Sequence, residues 1–439
     1  MAYGGATNTI CGRAMSSRIT KTFPALSEAT VRRYLTGQFC SVVGTWTQNI
    51  TLSLLLWELT HSPLLLGVLN FLLHAPMLGL PLLFGSRLHP ATIRRDTLRI
   101  LLAGLLLALS LLGGSLAGRL TPHWLIASAA VIGVLNAMEM PARQLLLTSS
   151  LTNRGLLLNA VAMNTMVFNV GRIGGPALAA LVFSAGGATA GFLICACGLM
   201  LMVYAVYSLP DNPNRITQGP ATRGTIAAAI RYCQSDPFIT HYMPLLIGLG
   251  IFAASYQTLI PVLASVGFGS AATYTGVFFA CTGAGALSAA ILLSTRQTPM
   301  LMNRLLVNAP WLSTLALAGI AASRWTALTG LCFALLGLSI SFFTTRTNAI
   351  MQRRSPHHLR GAVVGIYAMS FLGTLPLGLL GAGAISDVMG PQWTFALMAC
   401  CMGLIQAGTL WLRKHRRSAD SDANPGNGPD PSVRKAPAS

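Results

Sequence analysis

Acidic side chains are nearly missing from this chain: there are ten Asp and Glu in 439 residues, and the charged types together make up 9%. Soluble domains carry roughly 25% charged residues, so this scarcity excludes an ordinary water-soluble fold. Metal-ligand clusters are missing too. The nine cysteines lie mostly in apolar stretches, Cys195, Cys197, Cys400 and Cys401 among them, with no His or acid at ligand spacing. They read as small packing residues, and neither metal nor cofactor is expected. No phosphate-binding glycine loop and no spaced set of nucleophile, base and metal is visible, which argues against an enzyme. The first 33 residues lack the continuous apolar core of a cleavable signal peptide and read as a polar tail.

What the chain has instead is apolar length: 53% of its residues are hydrophobic, and its mean hydropathy is +0.62. Runs of about 20 apolar residues recur from Tyr34 to Leu412, each long enough to cross a hydrocarbon core of about 30 Å as a helix. They predict an all-α integral membrane protein of about twelve spans: 34–57, 63–84, 98–118, 123–149, 156–184, 187–209, 238–266, 271–295, 301–321, 325–351, 361–386 and 391–412.

The net charge of +19 is one-sided along this layout. Basic residues gather before the first span (Arg13, Arg18, Lys21, Arg32, Arg33) and after the second (Arg87, Arg94, Arg95, Arg99). They recur in the middle loop (Arg215, Arg223, Arg231), at Arg296 and Arg304, at Arg353, Arg354 and Arg360, and from Arg413 to Arg417. The alternate loops hold little beyond Arg119, His123 and Arg324. This is the positive-inside pattern, which predicts a multi-pass protein with both termini in the cytoplasm. Nucleic acid is not needed to explain the charge. The last 27 residues, rich in Pro, Gly, Asp and Ser after the basic cluster, read as a disordered tail.

The spans are also used twice. At a register of 203 positions Arg143 aligns with Arg346, Val161 with Val364, Phe168 with Phe371 and Gly175 with Gly378. Gly187 and Gly390, Phe192 and Phe395, and Cys197 and Cys400 follow in the same register. Earlier in each half the register is 209, matching Gln48 to Gln257 and Gly67-Val68 to Gly276-Val277. The expected organisation is a tail (1–33), a six-helix bundle (34–209), a basic loop (210–237), a second six-helix bundle (238–412) and a tail (413–439). Two pseudo-symmetric bundles around a midplane site favour alternating access. One chain holds both bundles, so a monomer suffices.

The stretch GRIGGPALAA, Gly171 to Ala180, places an arginine, glycines and a proline inside an apolar run. Its G-x-x-x-G-P-x-x-A-A spacing puts small residues on one face, where a neighbouring backbone can come close. Pro176 removes a backbone hydrogen bond and bends the helix. These residues resemble the antiporter motif in span five of major facilitator exporters, with Ala162 at the upstream small position. EMPARQ (Glu139 to Gln144) and the following LLLNAVAMNTMVFNVGRIGGPALA resemble the bacterial branch of that superfamily that includes enterobactin exporters and macrolide-efflux proteins. LRGAVVGIYAMSFLGTLPLGLLGAGAISDVMG, RRYLTGQFCSVVGTWTQN and ELTHSPLLLGVLNFL extend the likeness to nearly every span.

The chain departs from the pattern in three places. Ser86 stands where the loop after span two usually carries an acid, although Arg87 remains. The antiporter motif ends in Ala179-Ala180 instead of two glycines. The arginine usual in span four of proton-coupled drug exporters is missing from ASAAVIGVLNAM.

The resemblance implies a secondary transporter in the bacterial cytoplasmic membrane that exports a siderophore-like or drug-like compound, by proton antiport. Its partners would be the bilayer, protons and a small molecule. An importer of the same fold and a receptor that moves nothing are the competitors; the antiporter-type motif weighs against the first and the short loops against the second. Ionisable residues inside spans are functional candidates by default, which singles out Glu139 and Arg172 for proton coupling. A carboxyl held by a fixed partner such as Arg172 stays ionised, whereas a lone buried one exchanges its proton, and the sequence leaves both open. If spans one, four, seven and ten line the cavity, as the resemblance implies, its polar set is Gln48, Asn49, Asn136, Tyr256, Gln257, Thr344, Thr345 and Asn348. Asn164 and Asn169 on span five join it. Gly171, Gly175, Pro176, Ala162, Ala179 and Ala180 are the gating motif, and Arg87, Arg143 and Arg346 the cytoplasmic gate. Glu58 and Asp387, at the outer ends of spans one and eleven, read as solvated interface residues.

Overall fold

The computed structural model describes residues 24–85, 87–89, 91–151, 156–209, 223–295, 298–356 and 358–423. After a short 3-10 turn (Pro24–Ser27) come α1 (Ala29–Thr60) and α2 (Pro63–His74), which continues through a 3-10 turn into a short α3 (Leu80–Gly85). Then follow α4 (Ile93–Leu116), α5 (Pro122–Ser150), α6 (Leu157–Tyr207) and α7 (Arg223–Ser235). The second half contains α8 (Pro237–Gly248), a π turn (Leu249–Ala253), α9 (Tyr256–Phe268), α10 (Ala271–Thr295), α11 (Pro299–Ala322) and α12 (Thr326–Arg354). It closes with α13 (Arg360–Leu372), α14 (Leu375–Met389) and α15 (Pro391–Ala423). Helix occupies each of the twelve stretches expected from sequence, and among the described residues nine helical stretches are long and apolar enough to cross a bilayer.

Several helices begin in one way: a polar residue followed by proline. Ser62-Pro63, Thr121-Pro122, Asp236-Pro237 and Thr298-Pro299 open α2, α5, α8 and α11. Proline at the first helical position loses no intrahelical bond, and in three of the four the preceding side chain accepts a free N–H of the first turn.

Two expectations change. The middle loop holds α7, because the Ala-rich TIAAAIRY stretch is a strong helix former with Ala229 and Cys233 buried on one side. The last helix also runs past Leu412 to Ala423, into the segment expected to be an irregular tail.

α6 contains two expected spans with no loop between them. Its break is Gly187, at φ 62° and ψ −160°, a conformation open essentially to glycine alone. Contacts along α1 show that the chain reverses there. Side chains built at Gly171 and Gly175 would meet Val42 and Trp46 in ascending order, whereas at Gly191, Gly198 and Gly37 the contacts are Thr51, Cys40 and Ala205 in descending order. α1 is therefore clamped between antiparallel arms. This explains why it is less apolar than its neighbours: its buried Thr47, Gln48, Thr51 and Ser53 face protein.

The repeat is visible in the packing. Gly175 lies against Trp46 and its match Gly378 against Ser255, and Trp46 and Ser255 are themselves matched at 209. In both halves the proline-containing or broken segment thus leans on the first helix of its own bundle through a glycine that cannot be enlarged.

The halves touch through α2 with α14 and through α6 with α10. At Gly67 a side chain would fall 3.1 Å from Gly383 Cα. Nearby, Asp387 Oδ1 accepts hydrogen bonds from Ser62 Oγ (3.2 Å) and the Leu64 backbone N–H (3.3 Å). Ala179, Phe183, Phe278 and Phe279 belong to one buried cluster spanning both halves. A second cluster, with Val31, Tyr34, Ile93, Leu146 and Met202, belongs to the first half alone and lies toward the other end.

Candidate functional site

Toward that other end, α5 and α1 enclose a buried charged centre. Arg143 donates from Nη1 to Gln38 Oε1 (2.8 Å) and from Nη2 to Ser41 Oγ (2.7 Å). Its guanidinium also pairs with Glu139, one turn earlier on the same helix. Tyr34 Oη donates to the Arg143 carbonyl (3.0 Å). Arg143 is 4% exposed, Gln38 and Ser41 are fully buried and Glu139 is half-buried, so the base of this ion pair lies inside protein. The i, i+4 spacing brings acid and base together, and Pro141 between them removes a backbone bond at that turn. Gln38 Nε2 and Arg143 Nε are buried without a partner, leaving donors free for a different arrangement.

Sequence reasoning grouped Glu139 with Arg172 and placed Arg143 at the gate. The structure gives Glu139 to Arg143; the side chains of Arg172 and Asn169, and all of Ser86, lie outside the described residues. Tyr34, Gln38 and Ser41 were missed, although Gln38 and Ser41 lie three apart on the α1 face that precedes Gln48.

The expected polar set is only partly gathered. Gln48 is buried and accepts a hydrogen bond from Cys195 on α6, so it faces the bundle interior. Its repeat match Gln257 is half-buried and donates to the Ala254 carbonyl (3.5 Å) beside the π turn. Asn49 and Asn164 each hold a buried, unpartnered Oδ1, on α1 and α6. Asn136 is half-buried on α5. Tyr256 lies among Phe279 and Phe333, with ring centroids 6.2 and 6.1 Å away. Thr344 bonds to its own helix, and its carbonyl accepts from Tyr367 Oη (2.7 Å), a residue the sequence did not single out. Asn348 Oδ1 accepts from Gln352 (3.0 Å), and Thr345 is exposed.

In the motif on α6, Gly171, Gly175, Pro176, Ala179 and Ala180 are buried while Ala162 and Gly174 are exposed. Thr47 Oγ1 donates to the Gly175 carbonyl (3.4 Å), reinforcing the contact with α1. Arg87 is exposed and Arg346 half-buried.

The model of the transmembrane secretion effector family matches residues 20–436. The chain belongs to that family, within the major facilitator superfamily. Transmembrane secretion effectors of this kind are transporters and not enzymes, and this one is a multi-pass membrane protein handling a small molecule. It is 25% identical to the staphyloferrin A transporter of Staphylococcus aureus (strain NCTC 8325 / PS 47), over 83% of this chain and 91% of that one. The enterobactin exporter EntS of Shigella boydii serotype 4 (strain Sb227) is 22% identical over 90% and 92%. In structure it resembles the nucleoside transporter NupG, with a TM-score of 0.70 at 14% identity, covering 88% of this chain and all of that one. The last likeness concerns fold alone.

Two further clusters of this secretion effector lie at its helix ends. Asp387, expected to be merely solvated, is exposed yet bridges the halves by capping α2; no local pattern signals this, because the partners are 325 positions apart. At the opposite end Asp236 caps α8 and bonds to Arg354 Nε (2.9 Å), while Tyr232 on α7 donates to the Arg354 carbonyl (2.9 Å). Burial pushes the Asp236 carboxyl up, but the Arg354 hydrogen bond, the Ile239 and Phe238 N–H groups and the guanidinium charge together hold it below its ordinary value. A groove of about 840 Å³ between α11 and α15, lined by Trp311, Arg324, Trp393 and Leu404, contains none of the expected cavity residues.

Proposed function

We propose that this transporter exports a small organic compound from the cytoplasm by alternating access, in exchange for protons. In this orientation both termini are cytoplasmic, the Asp387 end faces outward and the Arg143 end inward. The boundaries are those of the repeat: residues 34–209 and 238–412 rock against each other, and 210–237 connects them. The observation that carries this is the pairing of an outer contact between the halves, Asp387 on α2 and Gly67 on Gly383, with the Glu139–Arg143 ion pair near the other end.

Glu139 is the proton carrier and Arg143 its switchable partner. Protonating Glu139 removes the negative charge from the pair and leaves Arg143 held by Gln38 and Ser41 alone. The spare donors at Gln38 Nε2 and Arg143 Nε allow the α1–α5 contact to rearrange, and the bend at Pro141 lets that turn move. The packing of Gly175 on Trp46 then transmits any tilt of α1 to α6. A siderophore-like cargo is favoured over a drug because the staphyloferrin A and enterobactin relatives are matched over most of the chain.

The membrane potential alone supplies about 2.3 kcal/mol per charge per 100 mV. Purified protein in vesicles is therefore expected to move cargo uphill when a proton gradient is imposed. Glu139→Gln is expected to abolish uphill movement while exchange of cargo across the membrane persists. Uphill transport at the parent rate in that variant removes Glu139 from coupling, and inward accumulation reverses the direction.

A further inference from the structure

Arg143 and Arg346 occupy matched positions, yet their surroundings differ. Tyr34, Gln38, Ser41 and Glu139 attend Arg143. Carried through the registers of 209 and 203, those four become Met243, Ile247, Gly250 and Phe342. A phenol, an amide, a hydroxyl and a carboxylate are thus replaced by groups that can neither neutralise nor solvate a guanidinium through a side chain.

Arg346 has kept its charge without this company. It is half-buried, and its Nε is sealed from solvent with no hydrogen-bond partner. Arg360, in the first turn of α13, also has a buried, unpartnered Nε. Among the described residues the acids of the second half whose side chains are placed are Asp236 and Asp387. Asp236 is bound to Arg354, and Asp387 lies at the far end of the molecule. In the first half the one acid close to Arg143 is consumed by it.

Sealing part of a guanidinium from water without a counter-charge is unfavourable, and apolar replacement at such positions is often neutral or stabilising. A cation retained there, on the helix that also carries Thr344, Thr345 and Asn348, points to a counter-charge supplied by the cargo. We propose that Arg346 is the anion-recognition residue of the transport site, and that the cargo carries a carboxylate or similarly compact negative charge. This rests on the transport function proposed above, but not on its direction or on proton coupling. The asymmetry divides the labour: the first-half arginine serves an internal carboxylate, and the second-half arginine an external one.

The test uses full-length protein in phosphatidylcholine nanodiscs and two dyes sharing a xanthene frame, anionic fluorescein and cationic rhodamine 123, followed by fluorescence anisotropy. Fluorescein is expected to bind at least about tenfold more tightly, a difference of about 1.4 kcal/mol. Arg346→Gln should remove about that factor for fluorescein alone, and Arg346→Lys should keep most of it. Melting of Arg346→Gln should be no lower than the parent's, because an unpaired cation has been removed. Tighter rhodamine binding, no fluorescein binding, or an Arg346→Gln protein with parental fluorescein affinity overturns the assignment. So does a variant that melts lower and loses both dyes equally, since that marks a structural role. Vesicles that accumulate fluorescein inward with the same Arg346 dependence would overturn export while leaving anion recognition standing.

Discussion

Asp387→Ala removes the carboxylate that joins the two halves. Two hydrogen bonds are lost, to Ser62 Oγ and to the Leu64 N–H, together with a negative charge at the N-terminus of α2. The site is exposed, so charge-assisted values of about 1.5–3 kcal/mol per bond do not apply. About 0.5 kcal/mol for each bond and about 0.5 kcal/mol for the helix dipole is a suitable scale, giving about 1.5 kcal/mol in all. That shifts the equilibrium between closed and open at this end about tenfold. Asp387→Asn keeps an acceptor oxygen and loses the charge, so its shift should be smaller. Distances between spin labels placed on the two halves near this end report the populations directly. A short-distance population that stays at the parental fraction in Asp387→Ala would refute the latch, as would a smaller effect from Ala than from Asn.

Enlarging Gly175 to Val drives a branched side chain into Trp46 and should cost about 1–3 kcal/mol through overpacking, lowering the melting temperature and slowing transport; Gly378→Val, against Ser255, should behave alike. Gly187→Ala forces a side chain into a glycine-only conformation at a cost of order 1–3 kcal/mol, measurable as a lower melting temperature with dye affinity kept. Asp236 has its carboxyl held below the ordinary value, so its contribution is complete above the ordinary carboxylate range and is lost as pH falls through the lowered folded value. Parent protein should therefore lose more melting temperature on strong acidification than Asp236→Asn does, and equal losses would contradict this.

The spans, the repeat and the matched arginines were legible because crossing a bilayer demands length and apolarity, which a sequence displays directly. The rotation of each helix was not. A helix facing lipid and one facing another helix are both apolar, so the periodicity that separates core from surface in water is weak here. Gln48 shows the consequence: its polarity marked it for the cavity, yet it bonds to Cys195 within the bundle. Glu139 and Arg143 carry a readable i, i+4 spacing, but an arginine in mid-span at Arg172 offers the acid a second possible partner, and the sequence alone does not choose between a fixed partner and none. The Asp387 bridge and the reversal at Gly187 depend on which segments become neighbours, and local sequence does not state that.

The clamping of α1 between the arms of α6 also has a consequence for biogenesis. α1 leaves the ribosome roughly a hundred residues before the first arm that will cover its Thr47, Gln48 and Thr51, and chains build their structure from the N-terminus during synthesis. Until then those side chains must stay beside the insertion machinery or a helper, since hydrocarbon offers them nothing. A nascent chain stalled before Leu157 should hold its first segment insecurely, and release of α6 should be the moment when the N-terminal half becomes resistant to extraction.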